Sequence, residues 1–211
     1  MPDAPSRADA EETRRAILRA AQELFAAAGY RAVTTRMVAK VSGIKQPLIY
    51  YHFADKEALY VEVQRERALA CRAALEYIAG QHDMPIPERL RAVVAALRAS
   101  HQSNMSLFMH DVQHELSEQA RATLSELFRA NIVQPIMAIF AEGIASGFLR
   151  KPEQGGVAPR LATFLLLSAI MHLPEVADVE RGADPRADLD ASAADALIHA
   201  LLYGMAAAPP G

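Results

Sequence analysis

Cysteine is all but missing: Cys71 is the only one in 211 residues. No disulfide can close within the chain, and a lone thiol fits a reducing, cytoplasmic setting. There is no Cys-x-x-Cys pair and no P-loop glycine pattern. Nor is there a nucleophile beside a base, a pair of carboxylates set for acid–base work, or a loop to cradle a cofactor. No enzymatic chemistry and no cofactor are therefore expected. Long apolar runs are absent too. The longest, 161–173, is interrupted by Thr163, Ser168 and His172. It falls short of the roughly 20 apolar residues of a membrane-spanning helix, so no membrane partner is expected. The opening MPDAPSRADAEE is polar and acidic without an apolar centre, and is read as a disordered arm over 1–10 rather than a signal peptide. Valine and isoleucine are thin against alanine and leucine, and no alternating run or internal repeat survives, so strands are not expected.

Helical spacing is what the chain does contain. Apolar residues make up 52% of it, enough for a substantial core. Ile17, Ala21, Leu24, Phe25 and Ala28 recur at helical intervals and predict a helix over 11–28, ended by Gly29. Thr34 and Thr35 are cap residues for a second helix with Met37, Val38 and Val41 as its apolar face. Ser42-Gly43 breaks it. Pro47 suits the first turn of a third helix that runs to about His52. Two short helices joined by a glycine turn form a helix-turn-helix, and neither is stable alone. Asp55 caps the next long helix, which runs to about Gly80. Further helices follow over 87–101, 106–115, 118–147 (kinked at Pro135), 157–173 and 189–206, with a charged loop from 174 to 188. The expected class is all-α with nine to ten helices: a three-helix head over 11–56, a body over 57–206 and a tail over 207–211.

Charge is divided along the chain. The net charge is −3, yet residues 1–56 carry nine Lys/Arg against six Asp/Glu, and the remainder carries the acidic excess. A basic head on an acidic body matches selective phosphate contact by one end.

The residues Thr34-Thr35-Arg36, Ala39, Gly43, Gln46-Pro47, Tyr50-x-His52, Lys56 and Ala58-Leu59 stand at fixed spacing over about 11–60. In this the chain resembles the TetR family of bacterial repressors. Beyond residue 60 the likeness is architectural, with Gly143 and Gly147-Phe148-Leu149 similar to the family's usual end of its seventh helix. The resemblance implies a double-stranded DNA operator, a homodimer and a small-molecule effector as partners. Carried onto this sequence, Arg36 would fork onto guanine and Gln46 would pair with adenine. Pro47 and Leu48 would meet thymine methyls. Tyr50, Tyr51 and His52 would contact phosphate and sugar, as would Thr35 while capping its helix. Lys56 would add charge near a phosphate. Lys45 and Leu48 depart from the family's usual residues, Lys45 adding positive charge beside the backbone.

The body offers two further expectations. The helix over 157–173 is apolar nearly all round, which implies cover on both sides. Leu161 and Leu165 there, with Ala193, Ala196, Leu197, Ala200, Leu201 and Gly204 on the last helix, are the expected dimer interface. An apolar effector pocket is expected among Leu97, His101, Met105, Phe108, Met109 and Val112, joined by Phe128, Ile132, Ile136, Met137, Phe164 and Met171. Such a lining suits a hydrophobic or amphipathic molecule. The alternatives are a metal-responsive repressor using His110 and His114, one helical turn apart, and a DNA-binding activator without ligand. The expected set itself contains no metal site.

Overall fold

The computed structural model describes residues 7–100, 105–181, 196 and 198–202. Every regular element among them is helical: α1 (Arg7–Ala32), α2 (Thr35–Ser42), α3 (Gln46–His52), α4 (Lys56–Ala79), α5 (Ile86–Ser100), α6 (Met105–His114), α7 (Glu118–Phe128), α8 (Gln134–Ala145) and α9 (Pro159–Arg181). Residues 198–202 are helical as well. The class is the all-α one that the sequence predicts.

Packing divides the chain into two units. The first comprises Met1–Arg67 with His101–Leu127, and the second Ala68–Ser100 with Phe128–Gly211. The core of the first is built from Ile17, Leu18, Ala21, Phe25, Val38, Ile49, Leu59 and Val63, joined by Leu116, Ala120 and Leu124. Thus the short helices α2 and α3 rest on α1 and α4, and α6 and α7 belong to the same unit. The core of the second unit gathers Leu75, Leu90, Val93, Leu97, Ile132, Ile136, Phe140, Leu149 and Leu166.

Local chemistry accounts for several helix ends. α1 already begins at Arg7, inside the stretch expected to be a disordered arm, and Thr13 Oγ1 donates to the Asp9 carbonyl in that first turn. Gly29, at φ 74° and ψ 174°, breaks α1 where the sequence places its end. Asp55 caps α4 by accepting the Ala58 N–H at 2.7 Å. α8 ends through Gly147 at φ 79°, and the Leu149 N–H returns to the Gly143 carbonyl at 2.8 Å.

Two prolines lie inside helices, Pro135 where the sequence places it and Pro174 where it does not. Pro135 does not break its helix. A π turn, Arg129–Val133, precedes it, and the Gln134 N–H reaches the Arg129 carbonyl. Widening the ladder by one residue accommodates a ring that would clash in a regular turn. At Pro174 the expected loop gives way to helix, since α9 continues to Arg181. One missing N–H removes a single bond, and Glu175, Ala177 and Glu180 beyond it are compatible with helix. Among the described residues one helix, the continuous Glu118–Ala145, is long and apolar enough to cross a membrane by length and composition. Its Leu124 lies in the first core, and its Ile132, Ile136, Ile139 and Phe140 lie in the second.

Candidate nucleic-acid interface

Thr34 caps α2: its side chain accepts the Met37 N–H at 3.3 Å. Gly43 closes α2 in the left-handed region (φ 71°), and the Ile44 N–H returns to the Ala39 carbonyl at 3.0 Å. Pro47 stands in the first turn of α3. The inward face of α2 is Thr35, Val38 and Ala39, at i, i+3 and i+4. This corrects the expected apolar face. Met37 and Val41 fall off that register, and they are exposed at 38% and 53%.

α3 buries Ile49, holds Gln46 and His52 half-buried and presents the others. Ile49 is wholly buried, whereas Leu48, Tyr50 and Tyr51 are 41%, 52% and 74% exposed. Arg36, Lys45 and Pro47 are exposed as well. Tyr51 meets the His52 ring edge-on at 5.1 Å, and His52 is half-buried. Phe53 is buried under the Arg14 guanidinium, 5.3 Å from the ring centre. Two large aromatics left in water on a two-turn helix have an apolar body and a polar tip, the equipment for sugar and phosphate contact.

Thr35 differs from its expected role. The cap is Thr34, and Thr35 is the first helical residue, buried at 7%. Its hydroxyl meets Gln46 Nε2 at 3.1 Å and Tyr50 OH at 3.0 Å. Lys56 is also engaged internally. Its Nζ donates to the Tyr30 carbonyl at 3.0 Å and lies 3.9 Å from the Tyr30 ring centre. Burial lowers its pKa, and the carboxylates of Glu115 and Asp111 oppose that shift.

Asp111 is the residue that the sequence reading missed. It is buried, accepts the Tyr30 N–H at 2.8 Å, and faces the Tyr60 hydroxyl at 3.4 Å. Burial first, and then the charge of Asp111, push the Tyr60 pKa upward. Its position held a signal: Asp111 shares the helical stripe of Phe108 and Val112, where an acid needs a donor. Glu57 makes a second tie in this unit, accepting both the N–H and the hydroxyl of Ser117 at 2.8 and 2.6 Å.

The expected pocket residues are not one group. Leu97, Phe128, Ile132 and Ile136 pack in the second core, whereas Phe108 and Val112 pack against the first. Met137 is half-buried; Met109 and Phe164 are exposed. His101 and the side chains of Met105 and Met171 lie outside the described residues. Of the expected dimer residues, Leu161, Leu165, Ala196 and Ala200 are exposed and Leu201 is half-buried, while Ala193, Leu197 and Gly204 lie outside the described residues. His110 and His114 are exposed with ring centres 4.9 Å apart, and among the described residues no group of three possible metal ligands occurs.

A small helical head that offers a capped helix, a glycine turn and a second helix studded with exposed aromatics defines a helix-turn-helix DNA-binding regulator. The sequence model of the family described as "Bacterial regulatory proteins, tetR family" matches residues 17–63. The transcriptional repressor AcnR of Corynebacterium glutamicum is 26% identical over 168 residues, covering 72% of this chain and 88% of that protein. The Escherichia coli K12 regulator UidR is 37% identical over 65 residues, 29% of this chain and 33% of that one. The structure of FadR from Bacillus subtilis, in complex with stearoyl-CoA, superposes with a TM-score of 0.72 at 20% identity, covering 90% of this chain and 98% of that one. At that identity the last likeness speaks for the fold alone. Residues 17–63 thus carry the tetR-family regulatory segment, and along most of its length the chain is similar to TetR-family transcriptional regulators.

Proposed function

We propose that this chain is a cytoplasmic, homodimeric repressor that binds a pseudo-palindromic double-stranded operator through residues 11–56 and is released by a small hydrophobic or amphipathic molecule held in the body, 57–206. The burial pattern of α3 carries the reading. Ile49 anchors the helix, while Leu48, Tyr50 and Tyr51 stay exposed beside Arg36, Lys45 and Pro47. Only a large partner surface would cover so much aromatic and basic area, and a duplex groove suits its chemistry. In this reading Arg36 and Gln46 read base edges. The half-buried Gln46 keeps its carbonyl and one amide hydrogen for a base. Lys45, Tyr50, Tyr51 and His52 hold the backbone, and Pro47 and Leu48 meet methyl groups. Lys56 acts from within, tying the start of α4 to the end of α1.

On this reading the effector binds in the second unit, near Leu97, Phe128, Ile132, Ile136 and Met137, the members of the expected set that belong to it. Their apolar character supports an amphipathic ligand. Such a ligand acts only by binding one conformation more tightly than the other. α4 carries the change, because it is one helix from Lys56 to Ala79.

The test is fluorescence anisotropy on duplexes selected from a random pool, with and without a long-chain acyl-CoA. Tyr50→Ala and Arg36→Ala should each lower affinity at least about tenfold, the worth of one good phosphate or base contact. Circular dichroism should remain unchanged. Full salt-sensitive affinity in both variants would sink the assignment. Failure of every amphipathic ligand to release DNA would remove the effector half and leave the DNA half standing.

A further inference from the structure

Thr35 has one hydroxyl hydrogen and two lone pairs, and two side chains compete for them. Gln46 Nε2 can only donate, so at 3.1 Å the Thr35 oxygen accepts from it. Tyr50 OH lies at 3.0 Å and can act in either direction. A hydroxyl that already accepts from Gln46, in a residue 7% exposed, is best satisfied by passing its own hydrogen to the Tyr50 oxygen. The chain then runs from the Gln46 N–H to the Thr35 oxygen, and from the Thr35 O–H to the Tyr50 oxygen. Two consequences follow. The Tyr50 O–H is left over as a donor on a side chain that is 52% exposed. The Gln46 amide is fixed by one hydrogen, and its carbonyl and second hydrogen remain, the pair that adenine N6 and N7 require.

We propose that Thr35 is a positioning residue for operator recognition: it orients the Gln46 amide toward adenine and frees the Tyr50 hydroxyl to donate to a phosphate. The inference rests on the reading of the head as a DNA reader. It differs from a direct phosphate contact by Thr35, because the hydroxyl is turned inward. The β-branched side chain suits the task, since χ1 of a helical threonine has few choices and its two partners select one of them.

The experiment is selection of bound sites from randomised duplexes by the full-length protein and by Gln46→Ala, Thr35→Val and Thr35→Ser. The wild type should prefer adenine at one position in each half-site, and Gln46→Ala should lose that preference. Thr35→Val keeps the shape without the hydroxyl. It should weaken the adenine preference about fivefold, the worth of one neutral hydrogen bond, and leave preferences elsewhere in the half-site unchanged. Thr35→Ser should restore it. The Gln46 side-chain amide resonances of the free protein provide a readout independent of DNA: they should move in Thr35→Val and return in Thr35→Ser. An unchanged base profile in Thr35→Val overturns the proposal, whether affinity stays the same or falls uniformly over all sequences, the latter making Thr35 a phosphate contact. A wild type that binds DNA with no change of profile in Gln46→Ala also overturns it, and leaves the DNA reading intact. A wild type that binds no duplex fails the underlying reading, and this proposal with it.

Discussion

A single buried arginine shows how much one residue can hold in the second unit. Arg89 is 1% exposed, donates to Glu142 at 2.8 Å and caps the Ala79 carbonyl at the end of α4. Glu142 also pairs with His82 Nδ1 at 3.0 Å. Truncation in Arg89→Ala would strand that carbonyl and the carboxylate. Breaking a buried pair costs about 3–5 kcal/mol; Glu142 is a third exposed, so about 2–3 kcal/mol is expected in urea unfolding. The pH dependence has a definite sign. The hydrogen bond from Arg89, more than any other contact, holds the Glu142 carboxyl below its ordinary range. Its stabilisation is therefore complete above the unfolded value, about 4.3, and is lost as the pH falls through the lower folded value. Glu142→Gln should flatten this acid limb in melting temperatures measured from pH 3 to 6, roughly the range over which a carboxylate titrates. An unaltered limb would show that the pair does not contribute. Arg89 could not be singled out from sequence, because its partner stands 53 residues away and only the fold brings the two together. Thr34 and Thr35 are a gentler case. The threonine pair was legible as a cap, but which of them caps and which turns inward depends on where α3 packs.

At the scale of the helix, the head was the most legible part of the chain because its punctuation is local. Gly29, Gly43, Pro47 and Asp55 each act through their own backbone or first turn, and each ends or starts a helix where the spacing says it should. The apolar face of α2 was less legible, since two turns give too few positions to fix a register. Pro135 was legible as an irregularity inside a helix, whereas Pro174 was misread as a loop because a helix can drop one bond and continue. Gly43 supplies a clean element-scale test. It sits at φ 71°, and a methyl group added there would meet nothing within 4 Å. Gly43→Ala therefore incurs only the backbone cost, about 1 kcal/mol, and should lower the midpoint of unfolding slightly while helical content stays constant. Gly143→Ala is the contrast, because its methyl would lie 2.9 Å from a Leu149 side-chain carbon. A larger penalty at Gly43 than at Gly143 would mean that the turn, not the packing around α8, is the tighter constraint.

For the whole molecule, α9 poses a question of cover that one chain leaves unanswered. Ala162, Thr163, Leu166 and Leu167 are buried, and their neighbours Leu161, Phe164 and Leu165 are 55%, 41% and 44% exposed. Two adjacent leucines and a phenylalanine on one helix form the kind of contiguous apolar patch that soluble monomers rarely leave bare. On the proposed reading a second copy covers it, with Ala196 and Ala200 letting the partner helices approach closely. Two-fold symmetry then sets two heads toward two half-sites, and operator affinity depends on α9 although α9 touches no DNA. Leu165→Glu would place a charge in the centre of that interface. Sedimentation of the wild type at micromolar concentration should give twice the chain's 23.0 kDa, and the variant should give the single-chain mass with its circular dichroism unchanged. The same substitution should lower affinity for a full palindromic site at least about a hundredfold, as two linked contacts become one. Affinity for an isolated half-site should stay where it was. Loss on the half-site as well would show that Leu165 supports the fold of its own chain. A wild type that sediments at one chain's mass would leave the exposed face of α9 without its partner and overturn the dimer.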